Sequence, residues 1–277
     1  MTSEINAKLP PTNKTFCKEK EMCDYGSKGI VEERAFLPPK ESYPLSFSFR
    51  DETIPVEFVR TSTANIIPYV VLKCPFEKAT LIFSHGNSTN LGQMMPLLFY
   101  YRELLDMTIV GYDYTGYGRS LGGCASEKNA YADITAVMEV LKEKHTTQYE
   151  EMILFGKSLG SGPTCYAATR FPVRSIILES AFLSCLDVVL PTYLKHMLNF
   201  LNIFPNETYL PDVKCPILII HGKHDQIVPV SHAKRLVELT KSKTFTYFPN
   251  ANHNNVILAE PVNYIDVLRL FIFHDSR

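Results

Sequence analysis

No run of five or six basic residues occurs in this chain. Its 28 lysines and arginines are dispersed against 29 acidic residues, for a net charge of −1. That balance excludes nucleic acid, or an acidic membrane surface, as the main partner. No stretch approaches the roughly 18 consecutive apolar residues of a membrane span, so no transmembrane helix is expected. The seven cysteines, at positions 17, 23, 74, 124, 165, 185 and 215, include no C-x-x-C pair. An odd, scattered set reads as reduced thiols in a cytoplasmic protein rather than a disulfide framework. No two histidines stand four residues apart, which removes the helical metal-ligand pair, and neither metal nor cofactor is expected. The residues Met1-Thr-Ser-Glu-Ile-Asn lack the basic stretch and apolar run of a secretory signal. Thr2 excludes N-myristoylation. Sequons at Asn13, Asn87 and Asn206 are accordingly read as fortuitous. Internal repeats and low-complexity tracts are also missing.

What is present is an ordinary globular composition. At 277 residues and 45% apolar content, the chain can bury a sizeable core in one large α/β domain or two small ones. Residues 1–44 are polar and proline-punctuated, with Pro10-Pro11, Pro38-Pro39 and Pro44. They read as an N-terminal extension, partly irregular and partly docked on a domain spanning 45–277. Val56–Arg60 and Pro68–Leu72 read as an antiparallel hairpin. Six short apolar runs follow, at 79–84, 108–112, 152–155, 175–178, 216–220 and 244–248, as expected of strands buried on both faces of a parallel sheet. Helical spacing fills the gaps at 93–105, 127–144, 159–171, 231–240 and 260–273. Ser126 serves as N-cap of the helix carrying Ile134, Val137, Met138 and Leu141. Alternation with right-handed crossovers predicts a mostly parallel, doubly wound α/β sheet with helices on both faces.

Two pentapeptides, Gly118-Arg-Ser-Leu-Gly122 and Gly156-Lys-Ser-Leu-Gly160, both fit G-x-S-x-G. In the nucleophile elbow of hydrolases, that pattern strains a serine into an exposed turn between strand and helix. Ser158 follows the apolar run Met152-Ile-Leu-Phe directly and precedes a stretch with helical spacing. Ser120 stands well past the end of its strand, and Gly122-Gly123 follows it in place of a helix. Context therefore selects Ser158 as the candidate nucleophile. Gly156-Lys157-Ser158 also resembles the end of a phosphate-binding Walker loop, but Glu151 occupies the position where that loop needs its first glycine.

A serine hydroxyl needs a histidine base oriented by a carboxylate. In this fold the partners follow the serine in the order acid, then histidine. His253, in Pro249-Asn-Ala-Asn-His253-Asn, lies just after the last predicted strand, at the carboxyl edge of the sheet where ligand sites occur. Asp225 follows the preceding strand in the same way; Glu179 and Asp187 are weaker candidates. His196 and His221 read as packed or capping residues. The backbone N–H groups of Leu159 and of Asn87, in Ser84-His-Gly-Asn-Ser88, are the candidate oxyanion donors. Gly86 is read as permitting the turn, and His85 as bracing it.

Taken together, Phe83-Ser-His-Gly-Asn87, Asn90-Leu-Gly-Gln-Met94, Tyr112-Asp-Tyr-Thr-Gly-Tyr-Gly118, Ser126-Glu-Lys-Asn-Ala-Tyr-Ala-Asp-Ile134 and Leu218-Ile-Ile-His-Gly222 extend beyond any generic triad. From about Val56 onward the chain resembles the alpha/beta-hydrolase-domain-seventeen protein depalmitoylases. The resemblance implies an α/β-hydrolase fold and a cytosol-facing serine hydrolase that releases S-acyl groups from protein cysteines. Lys157 stands where that family usually has glutamine, and Asn255 where it usually has aspartate. The family's palmitoylated N-terminal cysteine cluster is reduced here to Cys17 and Cys23. One or two acyl chains without a basic patch give marginal attachment or none, so a cytoplasmic protein with at most weak peripheral membrane association is expected.

The implied substrate is an S-acylated protein or a small acyl ester, handled by a monomer. The segment 181–215 is too short for a large cap domain, though its apolar part, 186–201, could border an acyl groove or simply cover the sheet. A generic carboxylesterase or lipase is the nearest alternative reading. A non-catalytic hydrolase-fold binding protein is the alternative from another class.

Overall fold

The computed structural model describes residues 29–74, 79–189 and 199–275. A small antiparallel ribbon, β1 (Ser46–Phe49) and β2 (Glu52–Pro55), stands apart from the main sheet. The main sheet has eight strands: β3 (Glu57–Arg60), β4 (Ile66–Leu72), β5 (Thr80–Ser84), β6 (Thr108–Tyr112), β7 (Met152–Lys157), β8 (Ser175–Glu179), β9 (Ile217–Ile220) and β10 (Thr244–Tyr247). They lie in the order β10-β9-β8-β7-β5-β6-β4-β3. The β3–β4 and β4–β6 pairs are antiparallel, and every pair from β6 through β10 is parallel. All five positions of β5 and of β8 are buried, because helices cover both faces.

The helices are α1 (Gly29–Ala35), α2 (Leu91–Leu105), α3 (Glu127–His145), α4 (Ser161–Ala168), α5 (Cys185–Val189), α6 (Asn206–Tyr209), α7 (Val230–Leu239), α8 (Val256–Ala259) and α9 (Pro261–Leu270). One core layer joins Ile82 of β5 to Ile134 and Val137 of α3, Cys165 of α4 and Leu236 of α7. The opposite layer joins Leu81 and Phe83 of the same strand to Leu98 of α2 and Leu268 of α9. Adjacent residues of one strand thus feed opposite layers, as the period of a strand requires. The Ser126 hydroxyl accepts from Asn129 N–H and caps α3, while Asn90 does the same for α2 through Gln93 N–H.

Three features depart from the sequence reading. The predicted helix at 159–171 opens with a 3-10 turn over Ser158–Gly160 before α4, and the one at 260–273 ends in a π turn over Phe271–Asp275. The ribbon and α1 had no clear periodicity. Within the described part of the extension, Val31, Ala35 and Phe36 are buried in the α3 layer, Phe36 meets Phe204 edge-on with ring centroids 5.7 Å apart, and residues 37–42 are mostly exposed. Cys124 is disulfide-bonded, unlike the free Cys74, Cys165, Cys185 and Cys215. His196 and most of the apolar segment 186–201 lie outside the described residues. Among the described residues no helix is long and apolar enough to cross a membrane.

Asp133, on the buried face of α3, receives Thr115 N–H at 2.7 Å and the Thr115 hydroxyl at 2.8 Å. Burial nonetheless pushes its carboxyl up to about 7, against the lowering pull of those two bonds. The unfolded carboxyl titrates near about 4, so between these values the folded chain holds a proton that the unfolded chain has lost. Stability should therefore fall as pH rises from about 4 to about 7. In Asp133→Asn, denaturant melts across that range should lose this slope.

Candidate active site

β7 runs out at Lys157, and the chain then turns so sharply that Ser158 takes φ 49°, in the left-handed region. A serine pays conformational strain there, and such strain gathers at functional sites. The turn fits because its neighbours lack side chains. A Cβ on Gly156 would sit 2.6 Å from Gly160 O, and one on Gly160 would strike the Ser84 carbonyl of β5. The Ser161 hydroxyl, donating to Ser158 O at 2.6 Å, fastens the start of α4 beneath the serine.

His253 arrives from the loop after β10 and Asp225 from the loop after β9. His253 Nδ1 lies 2.7 Å from Asp225 Oδ2, and its Nε2 lies 3.0 Å from Ser158 Oγ. With Nδ1 protonated and donating to the carboxylate, Nε2 is left to accept the serine proton. Asp225 is held from the other side as well. Its Oδ1 accepts Ile227 N–H at 2.9 Å and Val228 N–H at 2.8 Å. His221 Nε2 bonds Val228 O at 2.7 Å and stands 3.3 Å from Asp225 Oδ2. Burial alone would raise the Asp225 carboxyl, but hydrogen bonds from His221, His253 and Val228 hold it well below the usual carboxylate range. These bonds favour the carboxylate beside His253. The two loops are tied together by Lys223 N–H to Pro249 O and His224 N–H to Ala251 O, both 2.9 Å.

Ser120 stands elsewhere. It lies in an irregular loop, its hydroxyl donating to Tyr114 O at 2.8 Å and its N–H to Tyr117 O at 2.9 Å. The second pentapeptide is a turn fastened onto itself. Glu179 and Asp187 are also occupied away from the histidine: Glu179 by Lys157 Nζ at 2.8 Å and the Tyr264 hydroxyl at 2.5 Å, Asp187 by the Ser184 hydroxyl.

The loop after β5 passes directly over the serine, since a Cβ on Gly86 would lie 3.8 Å from Ser158 Cβ. That is ordinary van der Waals separation, so Gly86 is not demanded by crowding. The left-handed residue of this turn is Ser88, at φ 57°, which corrects the role given to Gly86. His85 braces the loop as expected: its Nδ1 bonds Gly86 O at 2.7 Å, while the Tyr114 hydroxyl donates to His85 O at 2.7 Å. Asn87 and Leu159 both line the space in front of Ser158. The Asn87 side chain has a further task that the sequence did not reveal. Its Oδ1 accepts Leu37 N–H at 2.9 Å and the Tyr117 hydroxyl at 2.7 Å, and its Nδ2 donates to Ala35 O at 2.7 Å. Asn206, another sequon residue, is fully buried and donates to Ser161 Oγ and Phe182 O.

Ser158 and His253 open into a pocket of about 640 Å³, within the range of small-molecule sites. Its apolar wall is Leu37, Met94, Phe182, Val188, Ile227 and Val228. Lys157 borders it with its stem while its ammonium is paired to buried Glu179 on the neighbouring strand, directly opposite in the β7–β8 register. Sequence alone suggested neither the pair nor Leu37, because each depends on pairing and docking between distant segments.

The chain is similar to known proteins both in sequence and in fold. A family model described as serine aminopeptidase, S33, matches residues 76–211. In fold, the chain is similar to the Pyrococcus furiosus esterase Pf2001, with TM-score 0.71 and 18% identity over 86% of this chain and 96% of that one. It is also similar to mouse alpha/beta hydrolase domain-containing protein 10, with TM-score 0.62 and 19% identity over 78% and 98%. In sequence, it is 33% identical to the Caenorhabditis elegans alpha/beta hydrolase domain-containing protein aho-3, over 88% of this chain and 77% of the relative. It is 32% identical to human alpha/beta hydrolase domain-containing protein 17B, over 88% and 90%. Identity at that level across both chains, on an α/β-hydrolase fold, means that this serine hydrolase belongs to the alpha/beta hydrolase domain-containing protein 17 family.

Proposed function

We propose that the chain hydrolyses acyl thioesters and esters through an acyl-enzyme on Ser158, and that its substrate is an S-palmitoylated protein. The observation that carries this reading is the hydrogen-bonded line Asp225–His253–Ser158 opening into a pocket with an apolar wall. Ser158 Oγ attacks the acyl carbonyl as its proton passes to His253 Nε2, and Asp225 stabilises the imidazolium that forms. The backbone N–H groups of Asn87 and Leu159 hold the oxyanion. Collapse of the intermediate expels the cysteine thiol, protonated by His253. Water, deprotonated by the same Nε2, then releases the fatty acid and restores the serine. A thiol of pKa about 8.5 leaves far more readily than an amine, so a thioester is favoured over a peptide. All groups in this scheme come from one chain, so a monomer suffices.

The test is release of palmitate from an S-palmitoylated peptide, measured beside the same peptide carrying an N-palmitoyl lysine and beside a short-chain ester. Thioester cleavage with the amide left intact is expected. Cleavage of the short ester alone would instead leave a general carboxylesterase.

A further inference from the structure

Two large apolar side chains of the pocket wall are more than half exposed: Leu37 at 52% and Ile227 at 54%. Both line the concave site that holds Ser158, where an apolar ligand group would cover them. Both sit on backbone that is fastened to the reacting groups. Leu37 N–H donates to the side chain of Asn87, which lines the same pocket, and Ile227 N–H donates to Asp225. The main chain at each position is thus held by the machinery, while the side chain is left free at the pocket.

We infer that Leu37 and Ile227 are specificity-determining residues that grip the distal part of a long acyl chain. The inference rests on the acyl-hydrolase reading and adds to it the part of the chain that selects acyl length. One of the two residues comes from the segment ahead of the hydrolase domain, so that segment supplies part of the substrate site. On this assignment a long acyl group covers both side chains, and a short one held beside Ser158 covers less of them. Covering a leucine or isoleucine that water otherwise wets favours binding by about tenfold or more for each side chain.

Because both side chains are largely exposed, their truncation leaves the core intact. The experiment compares wild type, Leu37→Ser, Ile227→Ser and the double variant. Each is inactivated by a short-chain alkyl fluorophosphonate and by a hexadecyl fluorophosphonate, with second-order rate constants measured for both. The expected result is at most a small loss with the short probe, since both residues also wall the pocket that holds Ser158. With the hexadecyl probe the rate should fall about tenfold for each single variant and further for the double. Equal losses with both probes would make the residues merely structural, and no loss with either would mean that the chain passes elsewhere; each outcome overturns the inference alone. Failure of wild type to react with either probe would instead remove the acyl-hydrolase reading, and this inference with it.

Discussion

Ser158→Ala is expected to lose reaction with fluorophosphonate probes and to cut turnover by about 10⁴-fold or more, whereas Ser120→Ala keeps most of its activity. The contrast comes from geometry, since the two serines share nearly identical flanks. Ser158 has the left-handed φ, the strand behind it and His253 Nε2 at 3.0 Å. Removing its oxygen leaves no nucleophile, and only oriented binding and oxyanion contacts remain to accelerate attack by water. Ser120 loses a single hydrogen bond to Tyr114 O, which costs about 1 kcal/mol of stability and nothing in chemistry. The measurement is active-site titration beside steady-state kinetics. Labelling that persists in Ser158→Ala and vanishes in Ser120→Ala would overturn the assignment.

Asp225→Asn should lower kcat by about 10³- to 10⁴-fold without unfolding the chain. The carboxylate accepts on both oxygens, from Ile227 and Val228 N–H on one and from His253 on the other. An asparagine satisfies the two backbone donors with its oxygen and must then turn its NH₂ toward His253. That NH₂ favours the tautomer with Nδ1 unprotonated, so Nε2 carries the hydrogen and cannot accept the serine proton. The scaffold loses little, because the isosteric side chain still fills the site. A kcat within tenfold of wild type, with an unchanged melting temperature, would show that the carboxylate does not set the tautomer.

The parallel strands and the elbow were legible because their signals are local. Five-residue apolar runs such as Thr108–Tyr112 can be buried only between two helical layers, and Ser126 announces α3 through its own cap. Residues 29–55 were less legible. β1, Ser-Phe-Ser-Phe, is half exposed and reaches the core only through Phe47 and Phe49, and the end of α1 is held through Phe36 on Phe204 and Tyr117 and through Asn87 rather than by its own periodicity. The Lys157–Glu179 pair depends on strand register, and the place of Leu37 on a hydrogen bond to Asn87 fifty residues away. Sequence carries the ingredients of such contacts but not their adjacency. Gly86 shows the opposite error: a glycine next to a sharp turn invites a conformational explanation, yet the left-handed residue is Ser88.

The position of β10 gives the molecule a weak point that its core does not share. This strand has only four residues, forms one edge of the sheet and pairs on one side only, yet the loop after it delivers His253. Edge segments open locally at lower free energy than the centre of a sheet. Each such opening takes the imidazole away from Ser158 while β5, β7 and β8 remain in place. Thermal inactivation should therefore begin at this edge strand: activity is expected to fall, and to return on cooling, at temperatures where circular dichroism still reports an intact sheet.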